Sequence, residues 1–306
     1  MIEISILGRK LCIYDGYSPS TLEKIRARWR YPEYAWPTHP FAIDLKFENA
    51  CPAAFPFSQA PAALQFVLRD VQMRATPEGI WIGNGTTGCR YTCSEAGGEA
   101  ILWGDGPELG DLIDIVVTDS LRASGLISLH ASIAMRADDG AAVAFLGRSG
   151  AGKTTTLIHA LAAGYTALCE DFAWCDPASR AVAGLDRGVR LLPDSARVFE
   201  QLHGIRPTIR HGNKWFVPYT DLGVQRRTGR LVAIYILDRR HGAVTEITPA
   251  RPNEAAVALW KASGLPLTPA LQQQVSAALT VIAKNVPCYH LRVGAAPIPF
   301  DRLQAG

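Results

Sequence analysis

The sequence has a weak net charge, no long apolar run and no cysteine pattern of a metal site. Its 306 residues carry a formal net charge of +3, which gives no support for a nucleic-acid partner. No uninterrupted apolar run approaches the roughly 18 residues that a membrane-spanning helix needs. Internal repeats and low-complexity tracts are also absent. We therefore expect a globular protein with neither a membrane nor a nucleic acid as its partner.

The seven cysteines show none of the paired spacings that zinc sites use. Cys89 and Cys93 have three residues between them, and we interpret them as neighbours in strand structure rather than as metal ligands. The first ten residues, MIEISILGRK, place an acidic residue before a short apolar run and contain no signal-peptide cleavage site. Together these features predict a reduced, cytoplasmic location.

One stretch carries a specific chemical pattern. Residues 141–156 read AAVAFLGRSGAGKTTT, in which an apolar run is followed by a glycine-rich loop and the start of a helix. The loop fits the phosphate-binding pattern G-x-x-x-x-G-K-[ST], whose glycines let backbone N–H groups cradle phosphates. Lys153 would neutralise phosphate oxygens, and the Thr154 hydroxyl would bind Mg²⁺. The residues that we expect to contact the nucleotide are Gly147, Arg148, Ser149, Gly150, Ala151, Gly152, Lys153, Thr154 and Thr155.

Two acidic residues follow the next predicted strand. Residues 165–168 form a short apolar run that ends in Cys169, Glu170 and Asp171. An enzyme with a phosphate loop needs a Mg²⁺-binding acid at such a strand end. One carboxylate can hold the metal while its neighbour takes the proton from an attacking hydroxyl. The alternative interpretation is a solvated turn.

His130 and a basic segment are further candidates. His130 lies in a predicted strand over residues 126–135, where a single histidine is usually a core residue. Residues 204–230 hold six basic residues and one acid, so this segment is +5 and the rest of the chain −2. The segment is either a solvated basic loop or a surface for phosphates or an acidic peptide. Lys214 either reaches a phosphate or is an ordinary edge lysine.

The element pattern predicts an α/β protein with two domains. Short strands dominate residues 1–105, which we assign to a β-rich N-terminal domain. Residues 106–306 form the nucleotide-binding domain, which begins with a helix over residues 109–121. Near the C-terminus we expect strands at 231–238 and 243–248 that pair as a hairpin through His241 and Gly242, helices at 253–261 and 269–283, and a strand at 289–293.

The order of these motifs resembles the catalytic domain of HPr kinase/phosphorylase. Residues 129–132 (LHAS) are followed by the loop GRSGAGKT, a helix, Gly-Tyr and the pair Glu-Asp. The resemblance covers residues 126–293. It is closest to the HPr-kinase-like proteins of lasso peptide biosynthesis, which phosphorylate a serine near the C-terminus of the precursor peptide.

The resemblance implies a phosphate-loop fold of the HPr kinase/PEP carboxykinase type, with ATP and Mg²⁺ as cofactors, a peptide as substrate and a homo-oligomer as one possible assembly. It implies that Asp171 holds the metal and that Glu170 is the general base, with His130 beside it. Two departures stand out: the first acid is Glu instead of Asp, and the loop with which HPr kinases bind HPr is missing. Arg206, Arg210 and Lys214 stand in its place.

We therefore expect an ATP- and Mg²⁺-dependent kinase that acts on a Ser or Thr hydroxyl of a peptide. We expect the segment that contains Arg206, Arg210 and Lys214 to bind the γ-phosphate or an acidic or carboxylate-ended peptide. Two alternatives are a small-molecule kinase of the same fold and a non-catalytic regulatory module that binds nucleotide.

Overall fold

The computed structural model describes residues 1–29, 36–48, 64–65, 72–84, 86–105, 107–224, 227–239, 244–294 and 298–300. The chain divides into two compact units, Met1–Ser124 and Gly125–Gly306. The sequence analysis assigned the helix near residue 110 to the second domain, whereas the structure places it in the first unit. The turn at His241 and Gly242 lies outside the described residues.

The first unit contains an eight-stranded mixed sheet and two helices in its described part. Its elements are β1 (Ile2–Ile6), β2 (Arg9–Ile13), α1 (Pro19–Trp29), β3 (Ala42–Glu48), β4 (Leu64–Gln65), β5 (Gln72–Thr76), β6 (Gly79–Gly83), β7 (Gly88–Cys93), β8 (Gly97–Trp103) and α2 (Pro107–Ala123). Helix α1 was not predicted from the sequence. The Ser18 hydroxyl accepts a hydrogen bond from the Thr21 N–H at 3.2 Å, and Pro19 opens the helix, so a short local cap starts it.

The second unit combines strands and helices, so the α/β class predicted from the sequence is confirmed. Its elements are β9 (Ile127–Leu129), β10 (Ser132–Met135), β11 (Ala141–Leu146), α3 (Lys153–Ala162), β12 (Thr166–Cys169), β13 (Ala173–Cys175), β14 (Ala181–Gly184), β15 (Gly188–Leu191), α4 (Pro193–His203), β16 (Ile209–His211), β17 (Lys214–Pro218), a 3-10 turn (Tyr219–Leu222), β18 (Thr228–Arg239), β19 (Glu246–Pro249), α5 (Pro252–Ser263), α6 (Pro269–Asn285) and β20 (Cys288–Val293).

Strand β18 lies at the centre of the main sheet of this unit. Along one side β18 pairs in parallel with β11. Along the other side the start of β18 pairs antiparallel with β14, and its end pairs in parallel with β20. Every residue of β11 is buried, which matches its uninterrupted apolar sequence. Strands β15, β17 and β16 form a separate small antiparallel sheet. None of the described helices is both long and apolar enough to cross a membrane.

Two predictions about this sheet are wrong. The predicted strand over residues 126–135 is broken at His130 and Ala131, so β9 pairs with β13 while β10 pairs with β11 and β12. The predicted hairpin between β18 and β19 is also not formed, because β20 pairs with both strands and takes the position beside β18. Both errors concern the choice of strand partner, which a local hydrophobic pattern does not specify.

Gly184, in β14, lies very close to the backbone of β12. A Cβ atom at Gly184 would lie 1.8 Å from the carbonyl oxygen of Leu168, in the strand that ends before Glu170. We expect Gly184→Ala to lower the free energy of unfolding by about 3 kcal/mol, because backbone must move to make room. Urea unfolding followed by circular dichroism measures this change.

Gly110 is the matched control, since it lies exposed in α2 and a Cβ atom there has no neighbour within 4 Å. Gly110→Ala should raise stability by up to about 1 kcal/mol, because alanine favours the helix. Equal stability of the Gly184 variant and the unmodified protein would contradict the packing that we describe.

Candidate active site

A glycine-rich loop joins β11 to α3. Gly150 and Gly152 have φ angles of 80° and 98°, in the left-handed region that glycine adopts most readily. Arg148, Ser149 and Gly150 are exposed, whereas Ala151 is buried. The loop therefore presents exposed backbone directly before the N-terminus of a helix, where backbone N–H groups favour an anion.

Lys153 is the first residue of α3, and it is only 8% exposed. Its Nζ donates a hydrogen bond to the carbonyl oxygen of Gly147 at 2.9 Å. Burial lowers the pKa of Lys153, the carboxylates of Asp171 and Glu170 raise it, and the positive charge of Lys214 lowers it, with a net lowering. The loop thus holds this cation close to both acidic residues.

Glu170 is buried at the end of β12 and contacts the first turn of α3. The Thr154 hydroxyl donates a hydrogen bond of 2.6 Å to Glu170 Oε1, and Arg190 Nε lies 3.4 Å from Oε2. Burial raises the pKa of Glu170 above its ordinary value; the Thr154 hydrogen bond and Arg190 lower it, and the neighbouring Asp171 raises it. Burial next to the loop therefore makes the ionised form of the Glu170 carboxylate less favourable than it is in water.

Asp171 contacts His130. His130 Nδ1 lies 3.1 Å from Asp171 Oδ1. The break between β9 and β10 sets this geometry, because the His130 N–H donates to the carbonyl oxygen of Ala262 and the Ala131 N–H to that of Asp171. The His130 side chain is 49% exposed, so the structure places it at the surface of the site and not in the core.

Arg190 completes the group of charges, although the sequence analysis did not single it out. It lies on β15, and its Nη2 donates to Asp171 Oδ2 at 2.7 Å. Burial lowers the pKa of Arg190, but the charges of Glu170, Asp171 and Asp186 raise it above its ordinary value. The sequence feature that could have identified Arg190 is its position as a single basic residue in the apolar run GVRLL.

Asp186 is a second residue that the sequence analysis missed. Its Oδ2 accepts hydrogen bonds from the backbone N–H groups of Glu170, Asp171 and Phe172, at 2.8, 2.6 and 3.2 Å. Burial raises the pKa of Asp186, and the backbone hydrogen bonds from Asp171 and Phe172 lower it, with a net rise. This carboxylate fixes the turn from which both acidic side chains project.

Arg227 belongs to the predicted basic segment but has a structural role. Its Nε donates to the carbonyl oxygen of Leu168 at 3.1 Å, and its Nη2 donates to the backbone carbonyl oxygen of Asp186. The guanidinium carbon also lies 4.4 Å from the ring centroid of Tyr219. Arg227 therefore ties the end of β12 to the segment that carries Asp186.

The small sheet places Lys214 on the same face as Arg190. Arg190 pairs with Phe216 across β15 and β17, and Lys214 lies two residues before Phe216, so both basic residues share one face. Arg210 pairs with Trp215 on the other face, and its guanidinium lies 5.7 Å from the Trp215 ring centroid. Of the three predicted basic contacts, Lys214 lies on the face that carries Arg190, and its charge lowers the pKa of Lys153. Arg210 lies on the other face, and Arg206 is exposed.

A cavity of about 750 Å³, here called the α5 cavity, adjoins the loop. The end of β11, residues 147–149 of the loop, β18 and one face of α5 form its walls. His130 and His290 also line it. The α5 cavity therefore shares the loop and His130 with the group of charges described above.

The oxygen atoms at this site suit Mg²⁺. No group of three or more His, Cys, Asp or Glu side chains in the described residues is arranged to hold a metal ion. Mg²⁺ does not require such a cage, since it usually binds one or two carboxylates, substrate phosphates and water. The Thr154 hydroxyl and the Glu170 carboxylate already touch each other and are oxygen ligands of this kind.

The raised pKa of Glu170 predicts a stability change with pH. Relative to an ordinary pKa of 4.5, the folded protein binds the Glu170 proton more tightly than the unfolded chain does. The stability that Glu170 contributes is therefore complete below this value and is lost as the pH rises through the folded-state pKa. We expect Glu170→Gln to raise the Tm near pH 7, with the difference closing as the pH falls to 4.5 and below.

Glu254 is a control with the opposite sign. Hydrogen bonds from the Arg251 side chain and backbone and from His290 lower the pKa of Glu254 to about 2. Glu254→Gln should therefore lower the Tm near pH 7. Differential scanning fluorimetry over a pH series measures both variants, and a lower Tm for Glu170→Gln would contradict the account of its burial.

No family model matches this sequence, and a search of curated proteins finds no significant match.

Proposed function

We propose that this protein is an ATP- and Mg²⁺-dependent kinase of the phosphate-loop, HPr-kinase-like type that phosphorylates a Ser or Thr hydroxyl of a peptide. The acceptor that we favour is the C-terminal Ser of a lasso peptide precursor, as the sequence resemblance implies. The observation that supports the proposal best is the hydrogen bond between Thr154 and Glu170. In phosphate-loop enzymes the hydroxyl at this loop position and an acid on a nearby strand hold Mg²⁺ together.

The resemblance implies that Glu170 is the base and Asp171 the metal ligand, whereas the contacts favour the opposite assignment. Glu170 touches the expected Mg²⁺ ligand Thr154, so we assign Glu170 to the metal. Asp171 touches His130, which lines the α5 cavity, so we assign Asp171 as the general base. His130 is then a positioning residue that orients the Asp171 carboxylate.

The chain's own groups account for the proposed transfer. Exposed N–H groups of the loop and Lys153 would bind the phosphates, and Mg²⁺, when bound, neutralises phosphate charge. Asp171 takes the proton of the acceptor hydroxyl. The hydroxyl oxygen forms a bond to the γ-phosphorus, while the bond between the γ-phosphorus and the oxygen that leaves with ADP breaks. Lys214 and Arg190 add positive charge around the transferred group. Most of the rate gain would come from positioning and charge stabilisation.

Mass spectrometry of a synthetic lasso precursor peptide incubated with the protein and Mg-ATP tests the proposal. We expect a gain of one phosphoryl group, which a peptide without the C-terminal Ser does not show. Lys153→Ala should slow the transfer by roughly two to three orders of magnitude, because it removes a cation from the phosphate site. Lys284→Ala, an exposed lysine in the last turn of α6, is the matched control and should keep full activity.

If the peptide gains no phosphoryl group while Mg-ATP still binds, the peptide kinase is ruled out in favour of a small-molecule kinase or a regulatory module. If Lys153→Ala and Lys284→Ala behave alike, the loop does not hold the nucleotide as proposed.

The roles of the two acidic residues are separated by a Mg²⁺ titration of the transfer rate. Glu170→Gln should raise the Mg²⁺ concentration needed for half-maximal rate, because it removes a metal ligand. Asp171→Asn should lower kcat by roughly two to four orders of magnitude and leave the Mg²⁺ requirement unchanged, because it removes the base. The opposite pair of results would assign the base to Glu170 and the metal to Asp171.

A further inference from the structure

The α5 cavity borders both parts of the proposed phosphoryl-transfer site. Gly147, the first glycine of the loop, lines the cavity and accepts the hydrogen bond from Lys153 Nζ. His130 lines the same cavity and contacts Asp171. A molecule in the α5 cavity would therefore lie beside the general base and the phosphate loop at the same time.

The position of Lys153 indicates which end of a nucleotide would face the cavity. The lysine of a phosphate loop reaches the β- and γ-phosphates. Lys153 Nζ donates a hydrogen bond to the carbonyl oxygen of Gly147, and Gly147 lines the cavity. The cavity therefore adjoins the end of the loop where the γ-phosphate would lie. The acceptor has to approach from this end, since its hydroxyl attacks the γ-phosphorus.

The walls of the α5 cavity are mainly apolar. Leu146, Ile236 and Leu237 form the side that belongs to the sheet. On α5, two neighbouring rows with a spacing of four residues face the cavity. They carry the apolar residues Val257, Ala258 and Ala262 and the polar residues Asn253, Glu254 and Lys261. Val257 is 54% exposed, although it is a large apolar residue in a helix. Apolar surface in a concave site of this size favours an apolar ligand.

We propose that the α5 cavity is the acceptor subsite and that it takes apolar side chains of the peptide next to the phosphorylated hydroxyl. This inference rests on the proposed kinase function and adds the substrate class: a peptide in which apolar residues directly precede the acceptor Ser or Thr. The hydroxyl lies at the Asp171 end, beside His130, while the flanking side chains cover Val257 and the sheet residues.

Steady-state kinetics with a set of synthetic peptides tests this subsite. Each peptide ends in one Ser, which is preceded by either Leu residues (the Leu-flanked peptide) or Asn residues (the Asn-flanked peptide), and KM is measured separately for the peptide and for ATP. Ala258→Phe fills the cavity and Val257→Gln makes its wall polar. We expect each variant to raise the KM of the Leu-flanked peptide by roughly tenfold or more and to change the KM of ATP by less than about twofold. Val281→Gln, an exposed valine on α6 that does not line the cavity, is the matched control and should change neither constant.

Each other outcome has a defined meaning. A higher KM for ATP with an unchanged peptide KM would place the nucleotide base in the cavity and overturn the inference while the kinase function stands. Unchanged constants for both substrates, in variants with unchanged Tm, would also overturn it. If the unmodified protein phosphorylates none of the peptides, the proposed function fails and the subsite fails with it. Preservation of the Leu-over-Asn preference in Val257→Gln would likewise count against the subsite.

Discussion

Three backbone N–H groups converge on the half-buried carboxylate of Asp186, and the arrangement of the candidate site depends on this contact. The three donors belong to consecutive residues, so the turn after β12 is held in one conformation. From this turn the Glu170 side chain points to the loop and the Asp171 side chain to His130. Without such an anchor, a loop of this kind would have to lose more conformational entropy each time a ligand binds.

The charges of the site are stabilised collectively rather than in separate pairs. Arg190 lies among three carboxylates, and their charges raise its pKa. Lys153 has a lowered pKa because burial outweighs the attraction of Asp171 and Glu170. Burial likewise raises the pKa of Glu170 and of Asp186. A cluster in which the pKa values of some groups are raised and those of others are lowered is typical of functional sites, where some stability is lost in favour of chemistry.

Local patterns in the sequence predicted the elements that carry the loop. The apolar run before Gly147 is β11, and the helix predicted to follow the loop is α3, which spans Lys153–Ala162. The helix predicted at residues 269–283 is α6, and Thr268 caps it, since the Thr268 hydroxyl accepts a hydrogen bond from the Leu271 N–H. These elements follow from periodicity, glycine conformation and capping, all of which act within a few residues. Helix α1 was missed even so, because its sequence is polar overall and only Ile25 and Trp29 of the helix are buried.

The sequence by itself determined the α/β class, the glycine-rich loop and the acidic pair one helix and one strand later. Tertiary structure decided that His130 stands in a break between strands, that β20 separates β19 from β18, and that Asp186 and Arg190 join the acidic residues. Arg190 and Asp186 lie 15 to 20 residues from their partners in the chain and on other elements. Contacts of this range depend on which strands pair and on how the turns between them fold, and neither has a local signature in the order of residues.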